Sequence, residues 1–250
     1  MISLKVVLEV KGLGLWGAGK ETFEADTTTF RTKLPARALS GRRCVVIPGA
    51  YVKGLIRGWA YRVALLLASK GLITTCTGGL NKCWIKETCG ECIVCRVFGS
   101  LGGTPSPLEV TNFYAVKPDR VKEVAELGLE DALEREDLWE DAQVLVLTHV
   151  RIDDKSGKAA EGGLYEVEAV QPGATFYGEI RLYEELLGSL EGAPQVKVKE
   201  ACRLILASLA QLNFSYAGRR SRVKVRVMGA DLGAASEDAL SKALLDGLRR

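Results

Sequence analysis

One stretch, residues 45–57 with the sequence VVIPGAYVKGLIR, constrains the fold of this chain more than any other. Its β-branched start is typical of a strand, Pro48-Gly49 is a turn signal, and a helix is predicted from about residue 50 to residue 70. Four apolar positions recur at helical spacing and are predicted to face a core: Val52, Ile56, Trp59 and Val63. The chain therefore contains a strand that leads through a tight turn into a long, half-buried helix.

The start of this helix is a candidate anion site. Lys53 and Arg57 are four residues apart and so project from one face of the helix, away from the apolar stripe. Gly49 and Gly54 keep the helix start slim, and unpaired backbone N–H groups at a helix N-terminus attract phosphate. The simpler alternative is an ordinary strand-turn-helix junction with solvated cations.

Periodicity along the rest of the chain predicts a mixed α+β architecture. Four segments have the pattern of strands: 2–10, 108–116, 176–182 and 223–227. A second amphipathic helix is predicted over residues 196–214, and the charged segment 120–141 is predicted to be helical with a solvated acidic face. Residues 144–152 and 164–170 are predicted to pair as a long hairpin whose loose tip spans residues 155–163.

The order of these elements indicates a single domain over residues 1–250 with a ferredoxin-like core. The two long helices are expected to cover one face of an antiparallel sheet. The cysteine-rich segment 71–103 and the hairpin 144–170 are expected to be insertions into that core.

Composition excludes several classes of protein. The formal net charge is only +3, so any nucleic-acid surface must come from local clustering of the 34 Lys and Arg residues. The N-terminus alternates like a strand and lacks the basic start of a signal peptide, and no apolar run is long enough to cross a bilayer. We therefore expect a cytoplasmic protein with no membrane partner, whose seven cysteines serve a metal or remain thiols more readily than they form disulfides.

Four cysteines with the spacing C-x5-C-x2-C-x2-C form the strongest metal signal: Cys83, Cys89, Cys92 and Cys95. Such spacing lets a short loop wrap one tetrahedral structural zinc, and four thiolates leave no open position for catalysis. Cys76 is an alternative ligand, and His149 could replace one ligand if the hairpin folds back. Spacing alone leaves an iron–sulfur cluster or metal-free thiols open. Two other cysteines are interpreted as core residues: Cys44 and Cys202.

Residues suited to catalysis are few. With a single His, a His-dependent triad is nearly excluded, and Asp153-Asp154 occupy a predicted turn, where Asp is favoured for backbone reasons. Asp26 differs because it lies in the Thr-rich segment FEADTTTFR, between a glycine-rich loop and the opening helix. If that helix end holds RNA phosphate, the Asp26 carboxylate could act as a base or a metal ligand toward a 2′-hydroxyl. The alternative is a solvated loop carboxylate.

Four ordered segments resemble one family. IPGAYVKGLIR at residues 47–57 resembles the IPGSSLKGxxR signature of the RAMP superfamily of CRISPR-associated proteins. CGECIVCRVFGS at residues 89–100 resembles the CxxCxxCRLFGS segment of the repeated backbone subunit of type III (Csm-like) effector complexes. HVRIDDKSGKA at residues 149–159 and LYEVEAVQPGATF at residues 164–176 resemble that family's RIDRxTGxA and ExVPxGTxF segments.

The resemblance implies an RRM-like ferredoxin core that self-associates into a filament-like backbone along a CRISPR guide RNA, with other effector subunits and target RNA as partners. It implies that the helix start and the glycine-rich loops bind the guide backbone, and that the hairpin is a thumb that intrudes between nucleotides. ADTTTFR aligns with the catalytic IDxPVxR segment. This puts Asp26 at the position that supports Mg²⁺- or Mn²⁺-dependent cleavage of target RNA, and Arg31 at the following Arg.

Three departures from the family pattern change the expected RNA contacts. Ala50 and Tyr51 replace two serines, so the helix start is expected to rely on backbone N–H groups, Lys53 and Arg57. No proline follows Asp26. An Arg-rich turn replaces the family's C-terminal glycine-rich loop, and its cations are expected to contact RNA directly: Arg219, Arg220 and Arg222.

These observations predict an antiviral CRISPR subunit that binds guide RNA, carries a structural zinc and cleaves target RNA at Asp26 with a divalent ion. Two alternatives stay open. One is a catalytically inert RNA-binding subunit of the same complex, and the other is a zinc-stabilised cytosolic scaffold that binds proteins only.

Overall fold

A computed structural model describes residues 1–16, 28–33, 43–74, 88–100, 105–187, 196–217 and 221–250. These residues contain nine strands: β1 (Ile2–Val10), β2 (Arg31–Lys33), β3 (Arg43–Ile47), β4 (Leu108–Val110), β5 (Phe113–Ala115), β6 (Val144–Ile152), β7 (Ala159–Val170), β8 (Thr175–Leu182) and β9 (Val223–Asp231). The same ranges contain six α-helices: α1 (Gly49–Ser69), α2 (Ile93–Phe98), α3 (Val121–Leu127), α4 (Leu129–Leu133), α5 (Val198–Leu212) and α6 (Ala239–Arg249). None of the helices in these ranges is long and apolar enough to cross a membrane.

Strand β1 lies within the main sheet, as its alternating sequence predicts. The sheet has the order β2-β3-β5-β8-β1-β9, with β4 also paired to β8, and the neighbouring strands are antiparallel. The even-numbered apolar residues of β1 point into the main core: Ile2, Leu4, Val6, Leu8 and Val10. Val7 is buried on the opposite face, so both faces of this strand are covered.

Helices α1 and α5 pack against each other on one face of the sheet, as their apolar stripes predict. In α1, Val52, Ile56 and Val63 are buried. Trp59 is only half-buried, and the Arg62 guanidinium lies 4.7 Å from the centre of its ring. Trp59 nevertheless packs against the main core, so the prediction that it faces the core is confirmed.

The opposite face of the sheet is covered by α3 and α4. Both lie in segment 120–141, which was predicted to be helical, but the sequence did not predict that this segment covers the sheet. Their apolar residues form a second core with Val7, Val46 and Tyr177 of the sheet. The buried Glu179 carboxylate on β8 holds this layer in place, since it accepts the Leu129 N–H at 2.8 Å and the Tyr177 hydroxyl at 3.1 Å. Segment 120–141 is thus solvated on its acidic side only.

Strands β6 and β7 form a separate two-stranded hairpin, as predicted, but its tip is shorter than expected. The prediction of a loose tip over residues 155–163 is wrong, because β7 already begins at Ala159. Asp153 closes a tight turn: its carboxylate accepts the Ser156 N–H at 2.7 Å, and its carbonyl accepts the N–H of Gly157 at 2.8 Å. Gly157 has a φ of 65°, a conformation that favours glycine.

Candidate nucleic-acid interface and metal site

The first turn of α1 is packed against the chain between β4 and β5. The Gly49 N–H donates to the Asn112 side-chain carbonyl at 2.9 Å. A Cβ added at Gly49 would lie 2.1 Å from the Val110 carbonyl oxygen, so only glycine allows this approach. Gly54, in contrast, has open space around its Cα and is exposed. The predicted anion site at the helix start is therefore partly occupied by protein.

The two cations predicted on α1 differ in their surroundings. The Lys53 ammonium donates to the Ser106 hydroxyl at 2.6 Å and to the Leu108 carbonyl at 2.8 Å. Burial, together with the nearby Arg57, lowers the pKa of Lys53. Arg57 instead donates to the Tyr61 hydroxyl at 3.1 Å, with its guanidinium 5.8 Å from the ring centre. Lys53 thus ties α1 to the segment before β4, and Arg57 is the better candidate for contact with phosphate.

Tyr51, one of the residues that replace the family serines, connects α1 to the basic turn after α5. Its hydroxyl donates to the Ala217 carbonyl at 3.1 Å, and burial raises its pKa. The Ala217 N–H in turn donates to the Ser221 carbonyl at 2.8 Å, next to Arg222. Because Tyr51 and Lys53 are two residues apart, they project about 200° apart around the helix. The basic turn and the Lys53–Arg57 face therefore lie on different sides of α1.

The start of the glycine-rich loop lies between this basic turn and the base of the hairpin. Gly14 exchanges backbone hydrogen bonds with Val170 at 2.9 and 2.8 Å. On the other side, the Leu15 N–H donates to the Ser221 hydroxyl at 2.9 Å, and the Lys11 N–H donates to the Arg222 carbonyl at 2.8 Å. The glycine-rich loop, the hairpin base and Arg222 consequently meet at the end of β1.

Glu168, near the end of β7, anchors the segment that follows Asp26. Its buried carboxylate accepts the Thr29 N–H at 2.9 Å and the Thr29 hydroxyl at 2.8 Å, and it pairs with Arg31 at 3.4 Å. Burial raises the pKa of Glu168, but these hydrogen bonds and the Arg31 charge outweigh burial, so its pKa lies below the usual range. Arg31 is therefore used inside the protein, and Thr29 holds the chain three residues after Asp26.

Replacing Glu168 by Gln is expected to lower the stability of the protein at pH 7 by about 2 kcal/mol, since hydrogen bonds to a charged group contribute roughly this much. The pKa of Glu168 is lowered by folding, so its ionised form stabilises the protein above its unfolded pKa of about 4.3. This contribution is lost as the pH falls through the folded pKa. The difference in free energy of unfolding between wild type and variant, measured in urea, should shrink accordingly below about pH 4.

Glu161→Gln is the matched control, because Glu161 is an exposed residue on the same strand. Its free energy of unfolding should equal that of wild type both at pH 7 and below about pH 4. A Glu168→Gln variant that is as stable as wild type at pH 7 would contradict the anchoring role.

Three of the predicted metal ligands come together beside α2. Gly90, with a φ of 74°, turns the chain between Cys89 and Cys92, and Cys92 caps α2 by accepting the Cys95 N–H at 3.5 Å. The three sulfur atoms lie within 4.8 Å of one another, and those of Cys89 and Cys95 are 3.9 Å apart. Sulfur ligands of a tetrahedral zinc with bonds of about 2.3 Å are about 3.8 Å apart, so the geometry fits zinc.

The electrostatics of this cluster also suit a metal. A hydrogen bond with Cys92 holds the pKa of the Cys95 thiol low, at about 5, and the same bond, together with burial, raises the pKa of Cys92. The Cys92 N–H donates to the Cys89 sulfur at 3.2 Å, which supports a negative charge there. Within the described ranges, these cysteines are the one group of three or more candidate metal ligands. His149 is not part of it, because its ring stacks on Tyr165 in the hairpin with centroids 5.4 Å apart.

Several predicted site residues lie outside the described residues: Asp26, Cys76, Cys83, Arg219 and Arg220. Cys44 and Cys202 are buried core residues, which confirms their interpretation. Sequence reasoning missed the roles of Tyr51 and Glu168. The only signal for either was its place in a family segment, which says nothing about the residue that it contacts.

Comparison with known proteins gives one family. The family model described as the RAMP superfamily matches residues 17–223, which is most of the chain. No curated protein sequence matches the chain.

Proposed function

This chain belongs to the RAMP superfamily of CRISPR-associated proteins, whose members are RNA-binding subunits, and from that membership we propose that it is a guide-RNA-binding backbone subunit of a type III effector complex. The observation that carries the proposal is the meeting of four predicted RNA-binding parts at one end of the sheet. Hydrogen bonds join the first turn of α1, the glycine-rich loop, the hairpin base and the turn bearing Arg222. A strand of RNA can contact all four at once only because they are adjacent.

The strand order supports a ferredoxin-like core. With β1 as the first core strand, β5 as the second, β8 as the third and β9 as the fourth, the order across the sheet is fourth-first-third-second. The helices α1 and α5 follow the first and third of these strands, which gives the β-α-β-β-α-β sequence of that fold. Segment 71–103 and the hairpin are then insertions between core elements.

The hairpin is suited to the role of a thumb that contacts RNA or a neighbouring subunit. It carries exposed apolar side chains, which a monomer in water gains nothing by exposing: Leu145, Val146, Val150, Ile152 and Leu164. Its base is fixed to Gly14, so the hairpin is held in a defined direction relative to the glycine-rich loop. We infer that these side chains pack on the next copy of the chain in a filament-like backbone, or between nucleotides of the guide–target duplex.

In the proposed cleavage reaction, Asp26 assists attack by a 2′-hydroxyl of the target RNA on the adjacent phosphate. The new 2′-O–P bond forms as the bond from phosphorus to the 5′-oxygen breaks, which leaves a cyclic phosphate and a 5′-hydroxyl. A divalent ion, Mg²⁺ or Mn²⁺, would neutralise charge on the phosphoryl oxygens. Thr29 and Arg31, which come three and five residues after Asp26 in the sequence, are both held by Glu168 near the base of the hairpin.

A charge reversal tests RNA binding by two of the described cations, Arg57 on α1 and Arg222 just before β9. The variant with both Arg57→Glu and Arg222→Glu is expected to bind single-stranded RNA at least about tenfold more weakly for every sequence, because phosphate contacts carry no sequence information. The slope of log affinity against log salt concentration should be less steep for the variant than for wild type. Filter binding over a series of salt concentrations measures both quantities. Lys53 is left unchanged because it donates hydrogen bonds to Ser106 and Leu108. A charge reversal there would disturb folding as well as RNA binding.

Lys122→Glu is the matched control, since Lys122 is an exposed cation on α3, on the other face of the sheet. It should bind RNA like wild type. Wild-type protein with no salt-sensitive affinity for RNA would favour the protein-binding scaffold instead. Wild-type complex that binds target RNA but does not cleave it with Mg²⁺ or Mn²⁺ would favour the inert RNA-binding subunit.

A further inference from the structure

An exposed aromatic pair follows helix α5. Phe214 is 86% exposed and Tyr216 is 58% exposed. An aromatic ring that remains in water forgoes the stabilisation that burial of its apolar area would give. Two adjacent exposed rings offer a partner an aromatic surface, and the surroundings of the rings indicate what kind of partner fits it.

The backbone that carries this pair is held rigidly. Asn213 exchanges two hydrogen bonds with Val225 on β9: its side-chain carbonyl accepts the Val225 N–H at 2.6 Å, and its amide donates to the Val225 carbonyl at 3.3 Å. The Phe214 N–H donates to the Gln211 carbonyl at 3.1 Å. Three residues later, Ala217 is bonded to both Tyr51 and Ser221. Because the backbone is fixed at this point, binding orders only the Phe214 side chain, which lowers the entropic cost of binding.

Cations surround these rings. Phe214 lines an open groove of about 490 Å³ together with Lys11, Arg222 and Lys224. The Arg222 guanidinium lies 5.1 Å from the centre of the Tyr216 ring, and it contacts the Tyr216 hydroxyl at 3.5 Å. Lys11 is paired with Glu9, and the Lys224 ammonium contacts the Arg250 carbonyl at 3.4 Å. A guanidinium stacked on a ring still presents N–H donors at its edge, which suit a phosphate.

We propose that Phe214 is a stacking platform for one unpaired base of single-stranded RNA, whose neighbouring phosphate contacts Arg222, Lys224 and Lys11. An aromatic ring inside a cationic groove fits a nucleotide, which has a flat apolar base and a charged phosphate, better than it fits an apolar protein surface. This inference rests on the proposed RNA-binding function and adds to it a base contact that the sequence patterns did not indicate. Because every base has an aromatic face, the contact tolerates any sequence.

The test compares Phe214→Ala with wild type on two probes of equal length, a single-stranded RNA oligomer and the same ribose-phosphate backbone without bases. The variant should bind the RNA about 5- to 100-fold more weakly, the range expected for loss of one base–aromatic contact. Its affinity for the abasic probe should be unchanged. Its dependence of log affinity on log salt should also match wild type, because no charge is removed, whereas Arg222→Gln should make that dependence less steep.

Two further variants complete the experiment on the full chain. Phe214→Trp keeps a ring and should retain the affinity for RNA. Leu66→Ala removes another exposed apolar side chain, on α1, and should bind both probes as wild type does. The stacking site is wrong if Phe214→Ala binds RNA as tightly as wild type, or if its affinity falls equally for both probes. Either result would leave the proposed function intact. The stacking site is also wrong if Phe214→Ala loses self-association while its affinity for RNA is unchanged. Wild-type protein that binds neither probe would overturn both proposals.

Discussion

Asp26→Asn in the assembled complex is expected to reduce target RNA cleavage by at least about 100-fold and to leave guide-RNA binding unchanged. Removal of a positioned acid-base group typically costs 10²–10⁴ in rate, whereas asparagine keeps the size of the side chain, so the RNA surface is preserved. The measurement is a single-turnover assay with complementary RNA and Mg²⁺ or Mn²⁺. Products ending in a cyclic phosphate would identify attack by the 2′-hydroxyl.

The control for this prediction is Asp131→Asn, which changes an exposed Asp on α4, on the other face of the sheet. It should cleave as wild type does. Glu168→Gln provides a graded comparison, because it loosens Thr29 and Arg31 without touching Asp26 and should therefore reduce cleavage by less. If the Asp26→Asn complex still cleaves target RNA, Asp26 is not the catalytic residue. The chain would then carry its chemistry elsewhere or act as a structural subunit.

Cys95→Ser is expected to have the largest effect on stability. Structural zinc sites contribute up to about 10–16 kcal/mol in small peptides, and loss of a buried thiolate ligand should release the ion. At roughly 2–4 °C in Tm for each kcal/mol in a chain of this size, Tm should fall by about 10 °C or more. Elemental analysis should give about one zinc per chain for wild type after metal-free purification and almost none for the variant.

Cys202→Ala separates loss of metal from loss of packing, because Cys202 is buried in the main core but is not one of the grouped metal ligands. It should lower Tm moderately and retain zinc. Cys83→Ala and Cys76→Ala then identify the fourth ligand, since only the true ligand should change the metal content. Wild-type protein that holds less than about half a zinc per chain would contradict the closed four-ligand site.

Cys95→Ser should also bind RNA more weakly than wild type, because the cysteine cluster supports the face of α1 that carries Arg57. Tyr61, whose hydroxyl accepts a hydrogen bond from Arg57, is buried in the same core as Cys92 and Cys95, and α1 packs against α2. Lys53 is joined to the same region, since Ser106, its hydrogen-bond partner, also donates to the Val97 carbonyl at the end of α2. Loss of the metal would thus release both cations from their fixed positions.

Much of this protein was predictable because its signals are local. The alternation of residues 2–10 predicts β1, and the turn at Pro48-Gly49 predicts the start of α1. The close spacing of the last three cysteines brings their sulfur atoms together, since a chain of seven residues with one tight turn cannot hold them far apart. The family signature at residues 47–57 indicated the superfamily that the match over residues 17–223 establishes.

Contacts between distant segments were decided by the tertiary structure alone. Glu168 and Thr29 are 139 residues apart, and Tyr51 and Ala217 are 166 residues apart, so no periodicity in the sequence records either pair. The second covered face of the sheet and the exposure of Phe214 depend in the same way on which surfaces other elements leave open. Local sequence determines where a strand, a turn or a metal-binding loop forms, because the interacting groups are neighbours along the chain. Which carboxylate holds Thr29, and which ring remains in water, depends on packing that only the folded chain defines.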